Sequence, residues 1–141
     1  MHQKQKEDFE GGCLCQAIRY RANGTPYNLT HCHCRSCRKA SGAAFVSWLS
    51  FRNNDFTFTR GKPTYFASSA KVLRGFCSQC GTTLTYQLQD SGEIDVTICS
   101  LDNPESVTPE DNTLVEYKLS WIDTANDLPS YEQMRRIISQ G

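Results

Sequence analysis

Seven of the eight cysteines in this 141-residue chain fall into three tight clusters. They are Cys13-Leu14-Cys15, Cys32-His33-Cys34-Arg35-Ser36-Cys37 and Cys77-Ser78-Gln79-Cys80. In a C-x-x-C turn two sulfurs reach one metal while backbone N–H groups donate to the thiolates. Gly81, directly after the last pair, can take the positive φ that such a turn needs. A structural zinc takes four ligands in a closed shell, whereas a catalytic zinc keeps three and an open position. Seven cysteines therefore divide into four and three. Spacing alone allows two pairings. One joins Cys34 and Cys37 with Cys77 and Cys80, which strands Cys32 and leaves Cys13 and Cys15 as a lone pair. The other joins Cys13, Cys15, Cys77 and Cys80 and leaves Cys32, Cys34 and Cys37 as a triplet on one loop; it uses every clustered cysteine. His31 or His33 could close the triplet as a Cys₃His structural site, or its thiols could stay metal-free and oxidise in pairs. Cys99, alone in Val96-Thr97-Ile98-Cys99, reads as a small buried apolar residue.

The positioning elements are mostly short strands. Alternation marks residues 17–21, 44–49, 56–59, 82–86 and 94–98 as strands. Turn-forming residues break the pattern at Asn23-Gly24, Asn53-Asn54-Asp55, Gly61-Lys62-Pro63 and Asp90-Ser91-Gly92. Helical windows are short: one near Arg35–Ser41, another at Tyr131–Ser139, where Met134, Ile137 and Ile138 have helical spacing. Residues 1–8 read as a loose polar tail, and 9–141 as one mainly-β domain without repeats or low-complexity linkers.

Composition agrees with a folded domain: 38% hydrophobic and 11% aromatic residues. No apolar run approaches the ~20 residues that span a bilayer, and the polar first eight residues lack a signal peptide's apolar stretch. The expectation is a cytoplasmic protein, where clustered cysteines bind metal or do chemistry more often than they form disulfides. Net charge is zero but unevenly placed. Residues 1–74 hold 12 Lys/Arg against 4 Asp/Glu, and residues 75–141 hold 3 against 11. Seven thiolates and two zinc ions would bring the total to −3, the wrong sign for a nucleic-acid binder.

Together these residues resemble the glutathione-dependent formaldehyde-activating enzyme family, which also contains the centromere protein V proteins. The resemblance rests on Gly11-Gly12-Cys13-Leu14-Cys15, on Cys32 through Gly42, and on Phe76-Cys77-Ser78-Gln79-Cys80-Gly81-Thr82. Leu101-Asp102-Asn103-Pro104, Trp121 and Leu128-Pro129 extend it to about Tyr131. It implies a β-tent fold, packed β-sheets with a zinc site at one end. It also implies a structural zinc on Cys13, Cys15, Cys77 and Cys80 and a second, catalytic zinc on Cys32, Cys34 and Cys37. Gln16 departs from the family, where glycine often follows the second cysteine, and this touches the turn rather than the ligands. The implied activity is a carbon–sulfur lyase that forms or cleaves a glutathione adduct.

Three thiolates on Zn²⁺ leave a net −1, which weakens its pull on water and favours a soft thiolate in the open position. A glutathione thiol, with a pKa near ~8.5, would be deprotonated there. Arg35, Arg38 and Lys39 flank the triplet and could offset its charge and pair with glutathione carboxylates, unless they form only a solvated basic turn. The competing class is a non-catalytic zinc-stabilised module that holds a protein or nucleic acid, and beyond it a scaffold without a ligand.

Overall fold

The computed structural model describes residues 7–135 of the chain. Ten strands form two sheets. The small sheet has β1 (Asp8–Gly12), β2 (Arg19–Asn23) and β5 (Phe56–Arg60), in the order β1-β2-β5. The large sheet holds β3 (Tyr27–Cys32), β4 (Val46–Arg52), β6 (Thr64–Ser69), β7 (Val72–Phe76), β8 (Thr83–Leu88), β9 (Glu93–Thr97) and β10 (Asp111–Thr113). Its order is β10-β3-β4-β9-β8-β7-β6, antiparallel throughout except where β10 runs parallel to β3.

The turn residues read from the sequence fall between strands. Asn23 ends β2, Asn53–Asp55 is a 3₁₀ turn between β4 and β5, and Asp90-Ser91-Gly92 joins β8 to β9, with Asp90 at φ 63 and Gly92 at φ 74. One face of the large sheet packs on the small sheet: Leu49, Phe51, Leu84, Ile94 and Val96 bury against Phe9, Tyr20 and Ala22. Phe9 and Phe51 meet with ring centroids 5.6 Å apart. The opposite face of β4 is also buried, through Val46, Trp48 and Ser50. A strand with one face in water alternates buried and exposed residues. The almost continuous burial of β4 means that something covers its second face too.

That cover includes the loop that ends in α1 (Arg35–Ser41), a helix of under two turns. Cys34 caps it by accepting from the Cys37 amide at 3.2 Å. Gly42 ends it at φ 70, its amide donating to the Arg38 carbonyl at 2.7 Å. Of the expected N-terminal tail, Asp8 pairs with Asn23 in β1 and the Glu7 carbonyl accepts from the Gly24 amide, while residues 1–6 lie outside the described residues. The expected C-terminal helix is absent from Tyr131 to Arg135, and its remaining positions lie outside the described residues. Among the described residues no helix is long and apolar enough to cross a membrane.

Candidate metal centres

Cys13 and Cys15 lie just after β1, and Cys77 and Cys80 just after β7, so the first and last clusters come from different sheets. Their four sulfurs lie within 4.8 Å of one another. Cys13 Sγ is 3.6 Å from Cys15 Sγ, which is 3.7 Å from Cys77 Sγ. A tetrahedral zinc with bonds of ~2.3 Å holds its sulfurs about 3.8 Å apart, whereas a disulfide needs about 2.05 Å. All of these cysteines are free thiols. The Ile18 amide donates to Cys13 Sγ at 3.3 Å, and the Cys77 turn closes with the Gly81 amide on the Cys77 carbonyl at 2.8 Å, Gly81 standing at φ 81. Hydrogen bonds from the Thr82 hydroxyl and backbone hold the Cys80 thiol down at about 5, so it sheds its proton readily. Spacing and amide donation suit a closed four-thiolate metal site. Gln16 adopts the left-handed conformation, φ 70, that glycine would take freely; the turn keeps its shape at a local conformational cost of ~1–2 kcal/mol.

Cys32 ends β3, Cys34 caps α1 and Cys37 lies in its first turn, and their sulfurs also converge within 4.8 Å. Neither histidine joins them. His31 Nδ1 is engaged with Ser47 Oγ at 2.7 Å and His33 Nε2 with Asn112 Oδ1 at 2.9 Å. Hydrogen bonding from Cys37 brings the Cys32 thiol down to about 5 and pushes Cys37 up, since one proton serves both sulfurs. Three converging thiols without a fourth protein ligand suit a metal that keeps an open position. The triplet borders a cavity of about 340 Å³ on the covered face of the large sheet, lined also by Trp48, Ser50, Arg74, Tyr86 and Asp95. This is within the usual size of small-molecule sites.

The model of the glutathione-dependent formaldehyde-activating enzymes matches residues 8–116 of this chain. The chain belongs to the glutathione-dependent formaldehyde-activating enzyme family. A Schizosaccharomyces pombe protein named an uncharacterized lyase is 34% identical over 79 residues, 56% of this chain and 57% of the relative. The match thus spans little more than half of that relative's length. A Rhodobacter sphaeroides protein of known crystal structure shares the fold, with a TM-score of 0.58 and 25% identity over 74% of this chain and 99% of that one.

In this member of the family the basic residues beside the triplet do not line its cavity. Arg35 stacks over the Tyr117 ring at 5.0 Å, Arg38 is half-buried with Nε unpartnered, and Lys39 is exposed. The cation at the triplet is Arg74 of β7, which sequence reasoning missed. It is 7% exposed, lies over the Tyr86 ring, and sets Nη1 and Nη2 at 3.8 and 3.9 Å from Cys37 Sγ. Its Nε donates to Ser68 Oγ at 3.1 Å. A buried guanidinium against a thiolate offsets the anionic charge of three sulfurs. Cys99 is exposed in a 3₁₀ turn rather than buried, because the chain leaves β9 before reaching it.

Asp95 of β9 is the second residue that was missed. Burial is the main cause that pushes its carboxyl up to about 6; the Ser50 hydroxyl pulls the other way, and Glu93 and Cys32 push further up. Around it stand Ser50 from β4, Tyr86 from β8, Glu93 on its own strand, where Tyr27 donates to it, and Arg52 opposite Glu93. An acid whose folded pKa lies above its unfolded value of 3.8 costs stability once the unfolded chain ionises first. Stability therefore falls as pH rises from about 4 to about 6 and stays reduced above that. Asp95→Asn keeps the acceptor for Ser50 and removes the charge. It is expected to stabilise the protein by about 1–3 kcal/mol at pH 7.5. In thermal melts the gain should shrink at pH 5; a gain independent of pH would point to packing instead.

Proposed function

We propose that this protein is a zinc-dependent carbon–sulfur lyase that forms or cleaves a glutathione adduct such as S-hydroxymethylglutathione, in the cytoplasm, with one structural and one catalytic zinc. The observation that carries this reading is the contrast between the two cysteine sets: four sulfurs that complete a shell, and three that border a cavity. Membership of the family and the lyase name of the fission-yeast relative support the same class of chemistry.

Cys32, Cys34 and Cys37 would hold the zinc, which would supply a soft position suited to a thiolate sulfur more than to water. The protein's own groups do the rest. Arg74 balances the charge of the triplet and orients Cys37, while Trp48 and Tyr86, with ring centroids 6.1 Å apart, wall the cavity and limit water. Arg35, Arg38 and Lys39 remain candidates for the outer carboxylates of a peptide thiol that extends past the cavity. A larger cavity, about 600 Å³, adjoins the four-cysteine cluster, but its main cation and acid, Arg19 and Asp102, are taken up by each other at 2.8 Å.

The test is exchange NMR on glutathione and formaldehyde at equilibrium, with protein of measured zinc content. Acceleration of S-hydroxymethylglutathione exchange above the spontaneous rate, lost on removing the labile zinc, is the expected result. No acceleration with this or other thiol adducts would overturn the assignment.

A further inference from the structure

The end of the triplet cavity away from the cysteines is polar. Asp95 Oδ1 accepts from Ser50 Oγ at 2.5 Å, and Asn28 Nδ2 donates to Ser50 Oγ at 3.4 Å. All three residues line the cavity. Asn28 is held at φ 52, where β3 slips its register against β4 between Tyr27 and Thr30. Asparagine takes this left-handed conformation readily, and within a register slip it re-aims the side chain toward Ser50. The result is a carboxylate fixed in one orientation by a hydroxyl, which is itself fixed by an amide.

No cation satisfies this carboxylate. Among the described residues Asp95 forms no ion pair. Arg74 shares the cavity but is turned to Cys37 and Ser68. The other charged neighbour on its strand is Glu93, an acid, and Arg52 lies opposite Glu93 rather than Asp95. A half-buried acid with an acidic neighbour and no counter-ion is held at a cost, as its raised pKa of about 6 reflects. A cationic ligand group would remove that cost.

Strand register limits how far such a group lies from the sulfur. Asp95 is opposite Ser50 on β4, and Cys32 is opposite Val46. Those two β4 positions are four residues apart, or about 13 Å of strand. The triplet loop folds back over the sheet and packs against Tyr86, which is opposite Asp95, so the sulfur and the carboxylate share one cavity at a separation below that figure. An amino group one or two residues from the sulfur can reach across it, at ~3.3–3.6 Å per extended residue.

We propose that Asp95, positioned by Ser50 and Asn28, is a recognition site for the primary ammonium group of a peptide-length amino thiol whose sulfur occupies the triplet. This rests on the reading that the triplet takes a thiol sulfur, and it makes the amino terminus of a γ-glutamyl peptide such as glutathione the group that the pocket selects. N-blocked peptides lack that charged group.

The test is calorimetry of zinc-loaded full-length protein with glutathione, N-acetylglutathione and 2-mercaptoethanol, on the unmodified chain and on Asp95→Asn. Glutathione is expected to bind the unmodified protein about 10–100-fold more tightly than N-acetylglutathione does, the scale of a charge-assisted contact. Asp95→Asn should lose that margin and leave 2-mercaptoethanol binding unchanged. Equal affinity of the two peptides for the unmodified protein would overturn the assignment without any variant. So would a uniform loss for all three thiols in Asp95→Asn. If none of the three binds, the thiol reading of the triplet fails and the ammonium site falls with it. If all bind without regard to the amino group, only the ammonium site falls.

Discussion

Cys80→Ser is expected to abolish soluble, folded protein. The four sulfurs of Cys13, Cys15, Cys77 and Cys80 join the end of β1 in the small sheet to the end of β7 in the large one. Cys13 and Cys77 are buried within the main hydrophobic core. The cluster is thus a clasp between the two sheets as well as a local turn. A structural zinc contributes about 10–16 kcal/mol to folding, and a domain's net stability is about 5–15 kcal/mol. Loss of one of four thiolates removes enough of the first quantity to consume the second. Expression, zinc content and circular dichroism melting together provide the check. A Cys80→Ser protein that is well folded, with unchanged melting, would show that the clasp does not hold a structural metal.

The cysteine sets were legible in the sequence because metal ligation fixes side-chain type and spacing together. The turns were legible because Asp90-Ser91-Gly92 and Asn53-Asn54-Asp55 carry their own backbone preferences. Much of the large sheet was not. β3 loses its alternation at the Asn28 bulge, β6 is an exposed edge strand with no buried face, and β10 is three exposed residues paired in parallel with β3. β7 contains Gly75, where a Cβ would come within 2.3 Å of Thr85 Oγ1, and Arg74, a buried charge that a periodicity argument assigns to solvent. The apolar spacing of Met134 suggested a helix that the chain does not form at 131–135, since short-range periodicity has no tertiary partner there.

The residues of the cavity were missed for one shared reason. In Ile94-Asp95-Val96 the acid occupies what looks like the wet side of an amphipathic strand. Only the return of the cysteine loop over the large sheet makes that side an interior. The nearly unbroken run Val46-Ser47-Trp48-Leu49-Ser50-Phe51 was the available signal that β4 is covered on both faces. What covers its second face is a property of the tertiary fold that no local window contains. The charge on Asp95 then persists at a cost to stability, which is the pattern expected where binding rather than folding sets the residue.

Cys37→Ser is expected to give the opposite outcome to Cys80→Ser: a folded protein that holds one zinc and has lost its thiol chemistry. The triplet packs in a separate small cluster with Val46 and Trp48, away from the core shared by the two sheets. Its three ligands come from one segment of chain, Cys32–Cys37, so their metal closes a short loop and joins no distant elements. Replacing sulfur with a harder hydroxyl leaves two thiolates, and metal affinity should drop by more than about 100-fold, beyond the ~10–100-fold typical of losing a mere outer-shell partner. Arg74 also loses its acceptor at 3.8 Å and stays buried, which should cost about 1–3 kcal/mol of stability, short of unfolding. Elemental analysis should find one zinc per chain in place of two, with melting lowered modestly and adduct exchange at the spontaneous rate. Two zinc ions and full activity in Cys37→Ser would place the chemistry elsewhere. Global unfolding would mean that the triplet, too, is structural, and the contrast between a closed and an open cysteine set would lose its functional meaning.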